Sequence, residues 1–182
     1  MDLALLMLRL VVGGLVTAHG LGKLGGWFKA GYGLKGTAGY LEGFGFRPGM
    51  FWAVVVGLTE TLGGLALAAG LITPLAGATI AGTMFVAART DHGGKGPWIF
   101  NGGWEHVLTN AAAALAVVGT GPGRYSLDRA LGWDLAGAGY FWAALALALL
   151  TAAATLVLRG VLVRDDRSQP SRSGRGGAIR SN

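Results

Sequence analysis

The 182-residue sequence contains no cysteine. This absence excludes a disulfide, a thiol redox pair, a cysteine-ligated iron–sulfur cluster and a cysteine zinc site. The sequence also lacks a G-x-S-x-G nucleophile motif and a phosphate-binding P-loop. Any redox chemistry would therefore depend on a bound organic cofactor, a haem or a partner protein.

Charged residues are scarce as well, at 13% of the sequence against 52% hydrophobic residues. The mean hydropathy is +0.51, which is typical of a membrane protein, and the length suits one domain. The formal net charge is +6, but a basic balance in a membrane protein usually reflects cytoplasmic loops and tails. We therefore expect membrane lipids around the protein and no nucleic-acid partner.

Five apolar segments, separated by glycine, proline or charge, are candidate transmembrane helices. They cover residues 3–21, 51–71, 75–88, 107–118 and 140–158. From residue 159 the composition changes to arginine, serine and glycine, which cannot bury a core. The sequence predicts an all-α membrane protein with a bundle at residues 1–132, an additional transmembrane helix at 133–158 and a basic disordered tail at 159–182.

The distribution of basic residues predicts the orientation of this multi-pass protein. With five spans, most of the 15 lysines and arginines fall on the side that receives loops 22–49 and 89–103 and the C-terminal tail. Because cytoplasmic segments carry an excess of lysine and arginine, that side is expected to be cytoplasmic. The C-terminus is then cytoplasmic and the N-terminus lies outside.

Glu60 is a lone carboxylate near the middle of the second apolar segment. A charge at that depth costs at least about 2.5 kcal/mol unless the bundle interior or a wet cavity receives it. The segment also carries a face of small residues suited to close helix contact, which comprises Ala53, Gly57, Thr61, Gly64 and Ala68. Glu60 borders that face, so we expect its side chain to point into the bundle.

Other polar residues stand at helix ends that the five-span threading brings to one membrane face, above Glu60. The candidate binding residues are Glu60, His19, Glu105, Lys23, Arg89 and His106. Arg9 lies nearer the start of the first helix, and we interpret it as a lipid headgroup anchor whose side chain snorkels outward.

Four ordered motifs resemble those of the DoxX family of small bacterial membrane proteins. They are the HGxxKL ending of the first helix from His19, ExxGGxxL from Glu60, GGxE from Gly102 and GPGxxSLD from Gly121. The resemblance extends from Leu6 to Leu131 and implies a four-helix transmembrane bundle in the bacterial inner membrane. The segment at residues 140–158 would be a fifth transmembrane helix added to that bundle.

The resemblance also implies an association with redox chemistry. Some members of the family are subunits of thiosulfate:quinone oxidoreductase, and others belong to oxidative-stress complexes. We therefore expect a subunit or accessory factor of a quinone-linked redox complex, with a redox partner protein or further copies of the same chain. An intramembrane carboxylate with histidine and lysine near the interface can hydrogen-bond quinone carbonyls and relay protons.

Other functions are compatible with the sequence, which does not decide whether the protein is an enzyme. A non-redox scaffold would bind lipid and partner proteins through its small-residue faces and basic tail. A transporter is less favoured, because five short spans are few for alternating access. A haem or metal site built on His19 and His106 would lack any local ligand spacing, and no metal is expected.

Overall fold

The computed structural model describes residues 1–27 and 32–168, with side chains to residue 163. Over these ranges the chain is helical and has no strand, which confirms the prediction of an all-α protein. A 3-10 turn, Ile99–Asn101, precedes the fifth helix. The helices are α1 (Asp2–Gly25), α2 (Gly33–Gly43), α3 (Gly49–Ala69), α4 (Thr73–Thr90), α5 (Glu105–Thr120), α6 (Leu127–Ala130) and α7 (Ala138–Ser168).

Among the described residues, three helices are long and apolar enough to cross a membrane: α1, α3 and the Ala138–Val163 part of α7. Helix α4 has 18 residues and α5 has 16, whereas a spanning helix usually needs about 20. Helix α4 also packs against α3, α5 and α7, and small residues serve such contacts better than large apolar ones. That α4 and α5 also cross the membrane stays a prediction.

The link between α3 and α4 is a tight turn of three residues. Gly70 ends α3 in the left-handed region at φ +65°, where glycine has no steric penalty. Ile72 also has a positive φ, +45°, which is rare for a β-branched residue and needs support from its surroundings. Pro74 then occupies the first turn of α4, where its missing N–H costs nothing. The turn forces α4 to run antiparallel to α3.

Helices α1 and α3 pack closely against each other through glycine. A Cβ atom on Gly13 would lie 2.5 Å from the carbonyl oxygen of Gly64 and 2.7 Å from the backbone nitrogen of Ala68. A Cβ on Gly64 would lie 2.5 Å from Thr17 Oγ1. The small-residue face predicted on α3 therefore packs against α1. Two further members of the face, Gly57 and Thr61, contact α1 near its C-terminal end, beside Leu24 and Gly20.

Helix α7 belongs to the same bundle, because it packs against α4 and α5. Its Ala148 is fully buried beside Gly82 of α4. The helix continues to Ser168, ten residues beyond the predicted end of the span at residue 158. The predicted disordered tail therefore begins inside a helix, and the rest of it, residues 169–182, lies outside the described residues.

A buried polar cluster closes the end of the bundle at the α3–α4 turn. We call it the Asp128 cluster, and it comprises Arg9, Thr73, Asp128 and the backbone carbonyl of the exposed Tyr125. Asp128 accepts hydrogen bonds from the backbone N–H groups of Ile72 (2.6 Å) and Thr73 (2.9 Å) and from Thr73 Oγ1 (2.6 Å). The positive N-terminal end of the α4 dipole also stabilises a carboxylate at this position. These bonds hold the strained Ile72 turn in place.

Arg9 is part of this cluster, so its interpretation as an outward-pointing headgroup anchor is wrong. Its side chain is 0% exposed. Its guanidinium donates to the carbonyl oxygens of Ala68 at 3.1 Å and Tyr125 at 2.5 Å. These carbonyls belong to the last turn of α3 and the chain before α6. They give the buried guanidinium hydrogen-bond acceptors, which lipid chains could not provide.

Candidate functional site

A cavity of about 490 Å³ lies at the other end of the bundle, among α1, α2, α3, α4, α5 and α7. Its volume falls within the range of roughly 300–1,000 Å³ that is usual for small-molecule sites. Most of its walls are apolar or aromatic, and Trp52 and Phe46 are buried there. Polar groups enter the cavity from every one of these helices, including Thr37 of α2 and Thr151 of α7.

An ion pair between α1 and α3 forms one side of the cavity. Lys23 Nζ donates a hydrogen bond to Glu60 Oε2. The Glu60 side chain is 7% exposed and that of Lys23 is 29% exposed, so the carboxylate is embedded while the ammonium reaches open space. A buried carboxylate requires such a partner, because leaving it unpaired would be costly. The pair gives the cavity a hydrogen-bond donor and an acceptor at one point.

Two histidines form another polar side. The rings of His92, just after α4, and His106, in the first turn of α5, meet edge to face with their centroids 4.6 Å apart. His92 Nδ1 lies 2.6 Å from the carbonyl oxygen of Gly102, and its Nε2 lies 3.7 Å from a carboxylate oxygen of Asp91. The Gly102 carbonyl favours a proton on Nδ1, which leaves Nε2 directed at Asp91.

Asp91 extends this side towards α2, where it meets Tyr40. Tyr40 is 46% exposed, and its partial burial, together with the Asp91 carboxylate, raises the pKa of its phenol to about 12. Like any tyrosine, the phenol is protonated at physiological pH, and it can act as a hydrogen-bond donor. Asp91 also lies 3.3 Å from Lys95 Nζ on its exposed side. The Asp91 carboxylate thus connects the cavity to the polar surface of the bundle.

The C-terminal part of α7 holds the aromatic wall in position. The Arg159 guanidinium lies over the Phe46 ring, 5.6 Å from its centroid, in a cation–π contact. Arg159 Nε also donates to the carbonyl oxygen of Phe44 at the end of α2. Since Phe44 and Phe46 both line the cavity, the helix that extends the bundle beyond residue 132 helps to shape the candidate site.

A family model described as DoxX matches residues 4–93, from α1 to the end of α4. The Escherichia coli (strain K12) protein "Inner membrane protein YqjF" is 31% identical over 130 residues, which cover 71% of this chain and 93% of that protein. The chain belongs to the DoxX family. No solved structure matches it significantly.

Four of the six candidate residues line the cavity of this DoxX protein: His19, Lys23, Glu60 and His106. They come from α1, α3 and α5, so the structure brings together side chains up to 87 positions apart in sequence. His19 is the most exposed of the four.

Glu105 and Arg89 do not belong to the cavity. Glu105 Oε1 accepts a hydrogen bond from the backbone N–H of Ile99 at 2.9 Å, so it closes the loop that leads into α5. Arg89 is exposed and does not line the cavity. Its position on α4 turns its side chain to the outside of the bundle, whereas Asp91 and His92, directly after the helix, turn inward.

Three titratable residues of the cavity were not among the candidates predicted from the sequence: Tyr40, Asp91 and His92. Asp91 and His92 could have been predicted, because they directly follow α4. The five-span threading brings that end of α4 to the same membrane face as His19 and His106. Tyr40 carried no such signal. Among the described residues, no group of three or more metal-ligating side chains is close enough to hold a metal ion.

Proposed function

We propose that this DoxX protein is an integral membrane subunit or accessory factor of a quinone-linked redox complex, and that its cavity binds the quinone head group. The observation that carries the proposal is the Lys23–Glu60 pair on the wall of an apolar cavity of about 490 Å³. Small-molecule sites typically combine apolar walls with a few convergent polar groups. A quinone head is a flat ring with two carbonyl acceptors, which suits aromatic walls and opposed donors.

The chain's own residues can supply hydrogen bonds and protons to such a ligand. Lys23 and His106 both line the cavity, and each can donate a hydrogen bond to one of the two carbonyls. Reduction of a quinone to a quinol consumes two electrons and two protons. Asp91 and His92 lead from the surface to His106 and can resupply protons. Because the chain contains no cysteine, we propose that a partner protein supplies the electrons.

We also propose that the protein resides in the bacterial inner membrane with the cavity mouth and the C-terminus on the cytoplasmic side. The name of the Escherichia coli relative places that protein in the inner membrane. Lys23, Lys95 and Arg159 lie at the cavity end of the bundle, where the positive-inside rule expects the cytoplasm. A reporter fused after residue 182 should be active in the cytoplasm, and periplasmic activity would overturn this orientation.

The test compares two carboxylates, one inside the cavity and one outside it. Glu60→Gln and Glu105→Gln remove the same charge, but only Glu60 lines the cavity. Each full-length variant is extracted from its own membrane in mild detergent, and bound small molecules are identified by native mass spectrometry. We expect quinone with the wild type and Glu105→Gln, and loss of quinone with Glu60→Gln. Equal quinone recovery from both variants at equal expression would refute the proposal.

A non-redox scaffold is the second candidate, and one observation favours it. The Lys23–Glu60 pair joins α1 to α3. In a scaffold, the role of this pair would be to fix how the two helices pack. In that case the extracted protein would carry lipid and further copies of itself, without quinone or a redox enzyme. Glu60→Gln would then change stability and leave the set of recovered partners unchanged.

A further inference from the structure

An apolar groove of about 310 Å³ runs along the outside of the bundle between α3 and α4. Its floor is made of small side chains, including Gly63, Ala66 and Ala76, and its rims carry Leu58, Leu62 and Leu75. The three leucines are exposed. Helices α3 and α4 are close together at the floor of the groove, because a Cβ on Gly63 would lie 3.3 Å from Thr79 Cγ2 of α4.

The groove adjoins the polar cavity. Thr59 of α3 and Thr79 of α4 line both spaces, so one pair of residues, on facing helices, marks the junction. Thr59 precedes Glu60, which places the junction at the level of the Lys23–Glu60 pair. From Thr59 the groove follows α3 to Leu71, about 18 Å at 1.5 Å per residue, away from the histidine end of the cavity.

We propose that the ligand of the cavity is an amphiphile, whose polar head lies beside Glu60 and whose long apolar chain leaves between Thr59 and Thr79 to lie in the α3–α4 groove. This inference rests on the proposed function and adds the class and the seating of the ligand. A membrane phospholipid fits less well, because its head group stays at the surface, whereas the inner end of this groove opens at the middle of α3. The apolar tail of a ligand held in the cavity would instead leave between Thr59 and Thr79 and enter the groove at that inner end.

The test uses two quinone probes with the same dimethoxybenzoquinone head, one with a methyl group and one with a long isoprenoid chain. Ala66→Trp places a large ring in the groove, and Ala69→Trp is the matched control, because Ala69 is exposed on the same helix and lines neither space. Affinities are measured with the full chain in lipid nanodiscs. If Ala66→Trp does not fold, Leu62→Trp closes the groove from its exposed rim.

We expect the groove variant to weaken binding of the chain-bearing probe about tenfold, a change that corresponds to about 1.4 kcal/mol, and to leave the methyl probe unaffected. Ala69→Trp should bind both probes like the wild type. Equal effects on the two probes, or none on either, would overturn the inference while the cavity remains a quinone site. A wild type that binds neither probe would instead overturn the proposed function.

A second measurement separates the ligand's own chain from a bound lipid. A chain-bearing probe with a photoreactive group at its far end should crosslink near Leu71 and Leu75. Excess methyl probe should suppress this crosslink by competing for the head site, and excess phospholipid should not. Suppression by phospholipid alone would identify the groove as a lipid site and overturn the inference.

Discussion

The contact between α1 and α3 allows a sharp test of the fold, with adjacent glycines as variant and control. Gly13→Ala adds a Cβ that would lie 2.5 Å from the Gly64 carbonyl oxygen and 2.9 Å from Ala68 Cβ. Ordinary contact begins near 3.4 Å, so the helices must separate by about 1 Å. Overpacking of this kind typically costs about 1–3 kcal/mol. An alanine at Gly14 would meet nothing within 4 Å.

The free energy of unfolding is measured for both variants in mixed micelles, by titration with a denaturing detergent and far-ultraviolet circular dichroism. We expect Gly13→Ala to lose about 2 kcal/mol and Gly14→Ala to match or slightly exceed the wild type, because alanine is the better helix former. Lys23 and Glu60 lie on the two helices that separate, so Gly13→Ala should also weaken quinone binding.

The outcome that would refute this reasoning is equal stability of the two alanine variants. It would mean that α1 and α3 do not approach each other at Gly13, and that the pairing of Lys23 with Glu60 is not fixed by helix packing. A loss of stability in Gly13→Ala without any loss of quinone binding would keep the packing and separate it from the proposed site.

Three further predictions concern individual polar groups. Asp128→Ala removes the acceptor of three hydrogen bonds and should lower the free energy of unfolding by about 3 kcal/mol, while alanine at the exposed Asp134 should have little effect in the same titration. Lys23→Met leaves Glu60 unpaired and should destabilise by about 1–3 kcal/mol, less than for a fully buried pair because Lys23 is partly exposed; adding Glu60→Gln should recover most of that loss. The pKa of Tyr40 is raised from 10.0 to about 12, so Tyr40 contributes stability below pH 10 that is lost as the pH rises to about 12. Tyr40→Phe should abolish this loss of stability at high pH. It should also remove one high-pH transition from the ultraviolet titration of tyrosinate.

Helix positions were predictable because they depend on local apolar runs. The segment predicted at residues 51–71 is α3, Gly49–Ala69, and the segment predicted at 75–88 is α4, Thr73–Thr90. The end of α7 was not predictable from hydropathy, because its last turns are polar and still helical. There, Arg159 is held by the Phe44 carbonyl, a contact that hydropathy does not register.

Arg9 shows what local patterns cannot give. Its position near the start of an apolar helix is equally consistent with snorkelling and burial, and the partner that decides is the Tyr125 carbonyl, 116 residues away. The GPGxxSLD motif was read as a family mark, yet its physical role is to bring Asp128 under the α3–α4 turn. Likewise, the sequence places Arg89, Asp91 and His92 together but does not show that only the last two turn inward.

The two polar regions of the bundle differ in a way that bears on function. In the Asp128 cluster, both carboxylate oxygens accept hydrogen bonds from backbone N–H or hydroxyl groups. Among the described residues, Asp128 lines neither the cavity nor the groove. Within the same described residues, Arg9 Nε has no hydrogen-bond partner. At the other end, Lys23, Glu60 and His92 open on a space large enough for a ligand. Convergent polar groups on the walls of an open, mostly apolar cavity are typical of a small-molecule site. The Asp128 end therefore stabilises the fold, and the cavity end is the candidate functional site.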